Sequence, residues 1–151
     1  GTYCRDKDAV YAAMILSEIA CYYKAQGMSM YDAIMGMYER YGYFIENTES
    51  KVYAGFDSNE RREAAMAGLR EKPIAEIGLK VEKIKDYLAG VPGFTKSNVL
   101  FYELTDGCAV VVRPSGTEPK IKSYVMAQGA TYEEAEARRK VIREAIDALL
   151  N

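Results

Sequence analysis

The sequence predicts an α+β fold: an antiparallel sheet of about four to five strands with helices packed on one face, preceded by two helices left over from a previous domain. Three observations point there. From Tyr43 onward the apolar periodicity runs strand, helix, three or four strands, helix. Two apolar runs flank Thr105-Asp106-Gly107, and Asp-Gly between such runs is the strongest short hairpin signal. Ahead of Tyr43, the first helical stretch is apolar around most of its circumference, which a chain of 151 residues has little surface to cover.

The elements follow in order. Asp6 is placed to cap a first helix from about Lys7 to Gln26, with Val10, Ala13, Met14, Ile15, Leu16, Ile19, Ala20, Cys21 and Tyr22 in its interior. Gly27 stops it. Ser29 caps a second helix with Met30, Ile34, Met37, Tyr38 and Tyr41 at helical spacing, and Gly42 ends that one. A strand is expected from Tyr43 to about Tyr53. A short helix starts at Asp57 or Ser58 and runs to about Arg70, with Ala65, Met66 and Leu69 inward and Pro73 at the exit. Leu79 to Tyr87 reads as a strand in which Val81 and Ile84 break the alternation. After a Gly90–Gly93 loop, Val99–Leu104 and Cys108–Val112 form the hairpin, and Lys120–Ala127 is a further strand that Gly129 breaks. Thr131 and Glu134 make a capping box for a last helix with Ala135, Val141, Ile142, Ala145, Ile146 and Leu149 on one side. The domain boundary falls near Tyr41–Tyr43, dividing the chain into residues 1–42 and 43–151.

Composition removes several kinds of chemistry. The chain has no His, so no Ser-His-Asp or Cys-His machinery and no His-liganded metal can operate within it. Its 20 Lys and Arg against 22 Asp and Glu give a net charge of -2, without the basic excess of a general nucleic-acid binder. Cys4, Cys21 and Cys108 are scattered and odd in number, which suggests neither a zinc knuckle nor a disulfide framework and fits a reduced, cytoplasmic setting. No apolar run of about 18 residues predicts a membrane span. The chain opens on Gly1 without Met or a signal peptide, as expected of a piece of a longer protein.

The segment that carries chemistry is Arg113-Pro114-Ser115-Gly116-Thr117-Glu118-Pro119-Lys120, between two expected strands. Arg113 offers a planar fork suited to phosphate oxygens. Ser115 and Thr117 offer hydroxyls, and Gly116 lets backbone N–H groups approach an anion. Pro114 and Pro119 restrict the loop, so binding orders less chain. Lys120 and Lys122 share one strand face and add positive field. Glu118 is the awkward member, since a carboxylate repels phosphate; it points away or it orients a Lys. The rival reading is a rigid turn with Arg113 in solvent.

The run from Arg113 to Tyr124 resembles the C-terminal phosphate-binding loop of the alpha-D-phosphohexomutases, in particular bacterial phosphoglucomutase/phosphomannomutase, and Arg5-Asp6-Lys7-Asp8-Ala9-Val10 resembles the segment after the sugar-binding loop of their third domain. The resemblance covers the whole chain and only the C-terminal part of the family protein. It implies that residues 1–42 end domain three and that residues 43–151 are domain four. It implies that Arg113, Ser115, Gly116 and Thr117 hold the phosphate not being transferred. Lys122 stands where the family often has a second basic residue, commonly Arg, and Lys7 matches a basic residue reaching the substrate near the transferring site. The family's phosphoserine loop, magnesium loop and sugar-reading Gly-Glu-x-Ser loop do not occur in this chain. No catalytic and no metal-binding residue is therefore assigned within it, and the chain alone is expected to be inactive.

In the full-length enzyme the resemblance implies interconversion of glucose 1-phosphate and glucose 6-phosphate, with magnesium as cofactor and glucose 1,6-bisphosphate as intermediate. The implied partners are a phosphorylated hexose and the N-terminal domains of the same protein, with no nucleic acid and no membrane. Phosphomannomutase, phosphopentomutase and phosphoglucosamine mutase activities stay open, as does a stand-alone binding module. The apolar first helix leaves an exposed patch unless it folds back or pairs with another copy, so a homodimer is also open. Among other clusters, Glu133, Glu134 and Glu136 suit a helix N-terminus. Arg61-Arg62 and Arg138-Arg139-Lys140 read as solvated helix faces, and Tyr22, Tyr23, Tyr38, Tyr41 and Tyr43 as core or interdomain packing.

Overall fold

A computed structural model of the chain describes residues 7–71 and 78–150. The expectations for Asp6 as a cap and Pro73 as a helix exit lie outside these residues, as do Cys4 and Arg5. The chain divides into two compact units, one ending at Gly42 and the other beginning at Tyr43.

The first unit is a pair of helices. α1 spans Ala9–Ala25, two residues shorter at its start than expected, because the Asp8 carboxylate accepts the Tyr11 N–H at 2.9 Å and so caps it. It ends in a Schellman turn: Gly27, at φ 74°, and Met28 donate to the Lys24 and Tyr23 carbonyls. α2 spans Met30–Tyr41 behind a full capping box, in which Ser29 accepts from the Asp32 N–H and the Asp32 carboxylate accepts from the Ser29 N–H. Ala33 is the buried residue of α2, and no residue of α1 is buried. Val10, Met14, Leu16, Tyr22 and Tyr41 are exposed, so the two tyrosines are not core residues of this unit. No helix among the described residues is long and apolar enough to cross a membrane.

The second unit is a five-stranded antiparallel sheet with two helices. Its elements are β1 (Tyr43–Val52), α3 (Ser58–Glu71), β2 (Val81–Asp86), β3 (Leu100–Leu104), β4 (Ala109–Pro114), β5 (Lys120–Gly129) and α4 (Tyr132–Leu150). The strand order is β1-β5-β4-β3-β2, so the last strand slots between the first and the fourth. Alternation sorts the side chains. Leu100, Tyr102, Leu104, Val110, Val112, Ile121, Val125 and Ala127 are buried on one face against Met66 and Leu69 of α3 and Ile142, Ile146 and Leu150 of α4. The other sheet face carries Phe101, Val111, Arg113, Lys122 and Tyr124, none of them buried.

Two local readings gain a physical cause and one, at Val141, changes. The alternation fails in β2 because the register to β3 shifts between Val81 and Lys83, a bulge that puts an extra residue in this edge strand. Val141 is 58% exposed, since the buried stripe of α4 runs through Ala135, Ile142, Ile146 and Leu150. The hairpin turn has a positive φ at Gly107 alone (80°), and Gly107 donates to the Leu104 carbonyl; this is a type I turn closed by a left-handed glycine.

Of the basic cluster on α4, Lys140 is exposed as expected, but Arg138 and Arg139 are half-buried and partnered. Arg138 donates to the Asp106 and Gln128 carbonyls and pairs with Glu134, while Arg139 pairs with Glu136. The capping box at the start of α4 is displaced by one residue: Thr131 Oγ1 accepts from the Glu134 N–H, but the Glu134 carboxylate accepts from Ala130.

β5 runs on to Gly129, where chain meets chain closely: a Cβ there would lie 2.6 Å from the Ala135 nitrogen. Gly129→Ala is therefore expected to destabilise the chain by about 1–3 kcal/mol in urea unfolding, by pushing α4 off the end of β5.

Candidate functional site

The β4–β5 connection is built on strand register. Val110 and Val112 point into the core, so Arg113 emerges on the helix-free face. Lys122 is its cross-strand neighbour on β5, and Tyr124 lies opposite Val111. The Arg113 guanidinium rests on Tyr124, its Cζ 5.7 Å from the ring centroid, and donates to the Tyr124 hydroxyl through Nε at 3.3 Å and Nη2 at 3.0 Å. Its other amino nitrogen stays on an exposed side chain with donors to spare.

The loop itself is closed from within. The Ser115 N–H donates to the Lys120 carbonyl and the Lys120 N–H to the Glu118 carbonyl, each at 2.8 Å. The Pro119 carbonyl accepts from the Tyr53 N–H at 2.8 Å, which ties the loop to the end of β1. Arg62 of α3 donates through Nη1 to the Ser115 carbonyl at 3.2 Å and to the Glu118 carbonyl at 3.4 Å. The Ser115, Glu118 and Pro119 carbonyls are thus engaged, while Gly116 and Thr117 stand exposed and their amides have no partner among the described residues. Exposed N–H groups and hydroxyls beside a guanidinium make a site for a tetrahedral anion. Gly116 does not have the left-handed φ of the turn glycines, and a Cβ on it would meet nothing within 4 Å. The chain itself does not require glycine there; the bare backbone serves whatever approaches from outside.

Glu118 is resolved as a lysine-orienting residue. Its carboxylate pairs with Lys120 at 2.7 Å. That hydrogen bond first, and the charges of Lys120 and Lys122 after it, hold Glu118 below the usual carboxylate range. The carboxylate is therefore turned to a cation rather than to the open side of the loop.

Arg113, Ser115, Gly116 and Thr117 thus come from one connection, with Lys122 set against Arg113 across the strands. Lys7 is exposed ahead of α1, in the other unit. Two contributors had no role in the sequence reading. Tyr124 carries Arg113. Arg62 read as part of a solvated pair, yet its side chain is only 17% exposed. The signal was present: Arg62 stands four and seven residues before the buried Met66 and Leu69, on the apolar side of α3.

Residues 58–145 match the family described as phosphoglucomutase/phosphomannomutase, C-terminal domain. Phosphoglucomutases of Staphylococcus aureus strains USA300 and N315 are 34% and 33% identical to the chain over 135 residues, 82% of this chain and 24% of theirs. The chain thus spans about a quarter of the length of these relatives. Among solved structures, that of the exocytosis-sensitive phosphoprotein pp63/parafusin of Paramecium, a phosphoglucomutase in its open form, aligns with a TM-score of 0.66 at 19% identity, over 97% of this chain and 28% of that one. At that identity the likeness is one of fold.

Gly116→Ala separates ligand approach from folding. Its unfolding free energy is expected to stay within about 0.5 kcal/mol of the parent chain. Its affinity for inorganic phosphate is expected to fall roughly fivefold or more in a titration, as an amide donor is blocked.

Proposed function

The chain belongs to the phosphoglucomutase/phosphomannomutase family, of which it carries the C-terminal domain, and we propose that residues 43–151 are the clamp that holds the substrate phosphate not being transferred. The observation that carries this reading is the pair of exposed amides at Gly116 and Thr117, next to Arg113 and Lys122 and on a loop that also carries the Ser115 and Thr117 hydroxyls, while the Ser115, Glu118 and Pro119 carbonyls are held from within. A phosphate dianion presents equivalent oxygens in a tetrahedron. Amides, hydroxyls and a guanidinium fork recognise it with little regard to the sugar behind it.

That indifference suits a mutase acting on glucose 1-phosphate and glucose 6-phosphate. The sugar must present either end to the reacting centre through a bisphosphate intermediate, and the distal phosphate must be gripped in both orientations. Gripping it restricts the sugar, so the phosphoryl group is delivered in line to its acceptor; phosphoryl transfer depends largely on such positioning and on charge stabilisation. Arg113 would exchange its contact with the Tyr124 hydroxyl for the phosphate oxygens, while the aromatic ring keeps the guanidinium in place. Residues 1–42 are read as the end of the preceding domain, with Lys7 reaching substrate from there. A magnesium ion would supply charge stabilisation at the transferring phosphate. Its ligands and the phosphoserine are assigned, on the family resemblance alone, to the domains outside this chain.

Two outcomes follow. In the whole enzyme, Arg113→Ala is expected to lower kcat/KM roughly 10- to 100-fold, the worth of a lost charge-assisted hydrogen-bond pair. Kinetics near wild type would remove the clamp assignment. The 151-residue chain on its own is expected to turn over no glucose 1-phosphate in a coupled assay, and measurable turnover would place the catalytic groups inside it.

A further inference from the structure

We infer that Arg62 is the positioning residue of the phosphate loop: it aims the Gly116 amide outward by fastening the Ser115 carbonyl from behind. This rests on the clamp reading above and adds a residue outside the loop that never touches phosphate.

The geometry begins in α3. Arg62 stands on the face of the helix that also carries Met66 and Leu69, so its stem lies along apolar surface and its head ends beneath the β4–β5 connection. One nitrogen, Nη1, serves two carbonyls, those of Ser115 at 3.2 Å and Glu118 at 3.4 Å. Nη2 meets the Glu63 carboxylate at 3.1 Å. Nε is buried and has no partner among the described residues. A guanidinium placed for its own satisfaction would not leave a buried donor unmet, at a cost comparable to a lost hydrogen bond. Arg62 is held instead where the loop carbonyls are.

The consequence for the loop comes from peptide geometry. The Ser115 carbonyl and the Gly116 N–H belong to one planar trans peptide and point in opposite directions. A carbonyl drawn down to Arg62 turns that N–H up, to the side where Gly116 is open and a Cβ would meet nothing. Freed of Arg62, this peptide can rotate as a unit and present its oxygen to an incoming anion. The second carbonyl, at Glu118, keeps the Lys120 N–H as a donor, so the Ser115–Gly116 peptide is the one that depends most on Arg62. Arg62 also leaves its charge behind the loop, partly balanced by Glu63.

The test is a titration of the 151-residue chain with inorganic phosphate, followed by the Gly116 and Thr117 amide signals in NMR, for the parent, Arg62→Met, Arg62→Lys and Arg113→Ala. Met keeps the apolar stem and removes the donors. Lys keeps a charge and a donor, and covers the case in which Met fails to fold. The expected result is a dispersed Arg62→Met spectrum, a Gly116 amide shifted before any phosphate is added, and an affinity lowered roughly fivefold or more, with Arg62→Lys between it and the parent. Arg113→Ala should weaken binding while leaving the Gly116 signal of the free chain in place. A merely structural Arg62 would lower the urea midpoint and leave phosphate affinity and the Gly116 signal of the folded chain unchanged; that result overturns the inference. If Met does not fold, parent-like affinity and Gly116 shift in Arg62→Lys overturn it too. If the parent itself shows no phosphate response, the clamp reading fails and Arg62 falls with it. If the parent responds and Arg113→Ala weakens it while the folded Arg62 variants do not, the clamp stands and this inference alone is lost.

Discussion

β5 is paired along its whole length to β1 and over six residues to β4, and the register of those two ladders governs the rest of the second unit. Because side chains alternate along a strand, one choice sends Ile121, Ser123, Val125 and Ala127 into the core and Lys122 and Tyr124 to the open face. A slip of one residue would exchange the two sets and bury a lysine. The same register sets Arg113 beside Lys122, lays Tyr124 within reach of the guanidinium, and brings the Ser115 N–H onto the Lys120 carbonyl that closes the loop. Core packing and loop shape are therefore two consequences of one pairing.

The loop shows how a protein builds a positive surface from a stretch that includes a carboxylate and carbonyl dipoles. Several negative elements are matched locally: the Glu118 carboxylate with Lys120, the Ser115 carbonyl with Arg62, the Pro119 carbonyl with the Tyr53 amide. What stays exposed is the stretch of Gly116 and Thr117, whose amides have no partner among the described residues, with the Arg113 guanidinium nearby on β4. The contributions come from β1, α3, β4 and β5, so the fold turns a short surface loop into a preorganised one.

Much of the local architecture was legible from residue types whose effects act over a few positions. Ser29, Gly27, Gly42 and the Asp106-Gly107 turn each act within about one turn of chain, and the structure has each where the sequence put it. α1 begins at Ala9 because the Asp8 carboxylate reaches the Tyr11 amide, a contact that residue type alone does not locate. β2 was irregular for a reason no local pattern states: its bulge answers to the strand it pairs with. Arg62 and Arg138 were read as solvent-facing because charge outweighed position, although Arg62 lies on the apolar stripe of its helix and Arg138 is spent on the Asp106 carbonyl of the hairpin turn and the Gln128 carbonyl of β5.

The sequence by itself determined the α+β class, the elements with most of their boundaries, the absence of histidine chemistry, and the concentration of phosphate-binding groups between Arg113 and Lys122. All of these are properties of composition or of neighbours along the chain. The tertiary structure decided which strand lies beside which, that Tyr124 supports Arg113, that Glu118 turns to Lys120, and that an arginine some fifty residues upstream holds the loop from behind. Those depend on distances between residues remote in sequence, which follow only when burial of the alternating faces has selected one register among many.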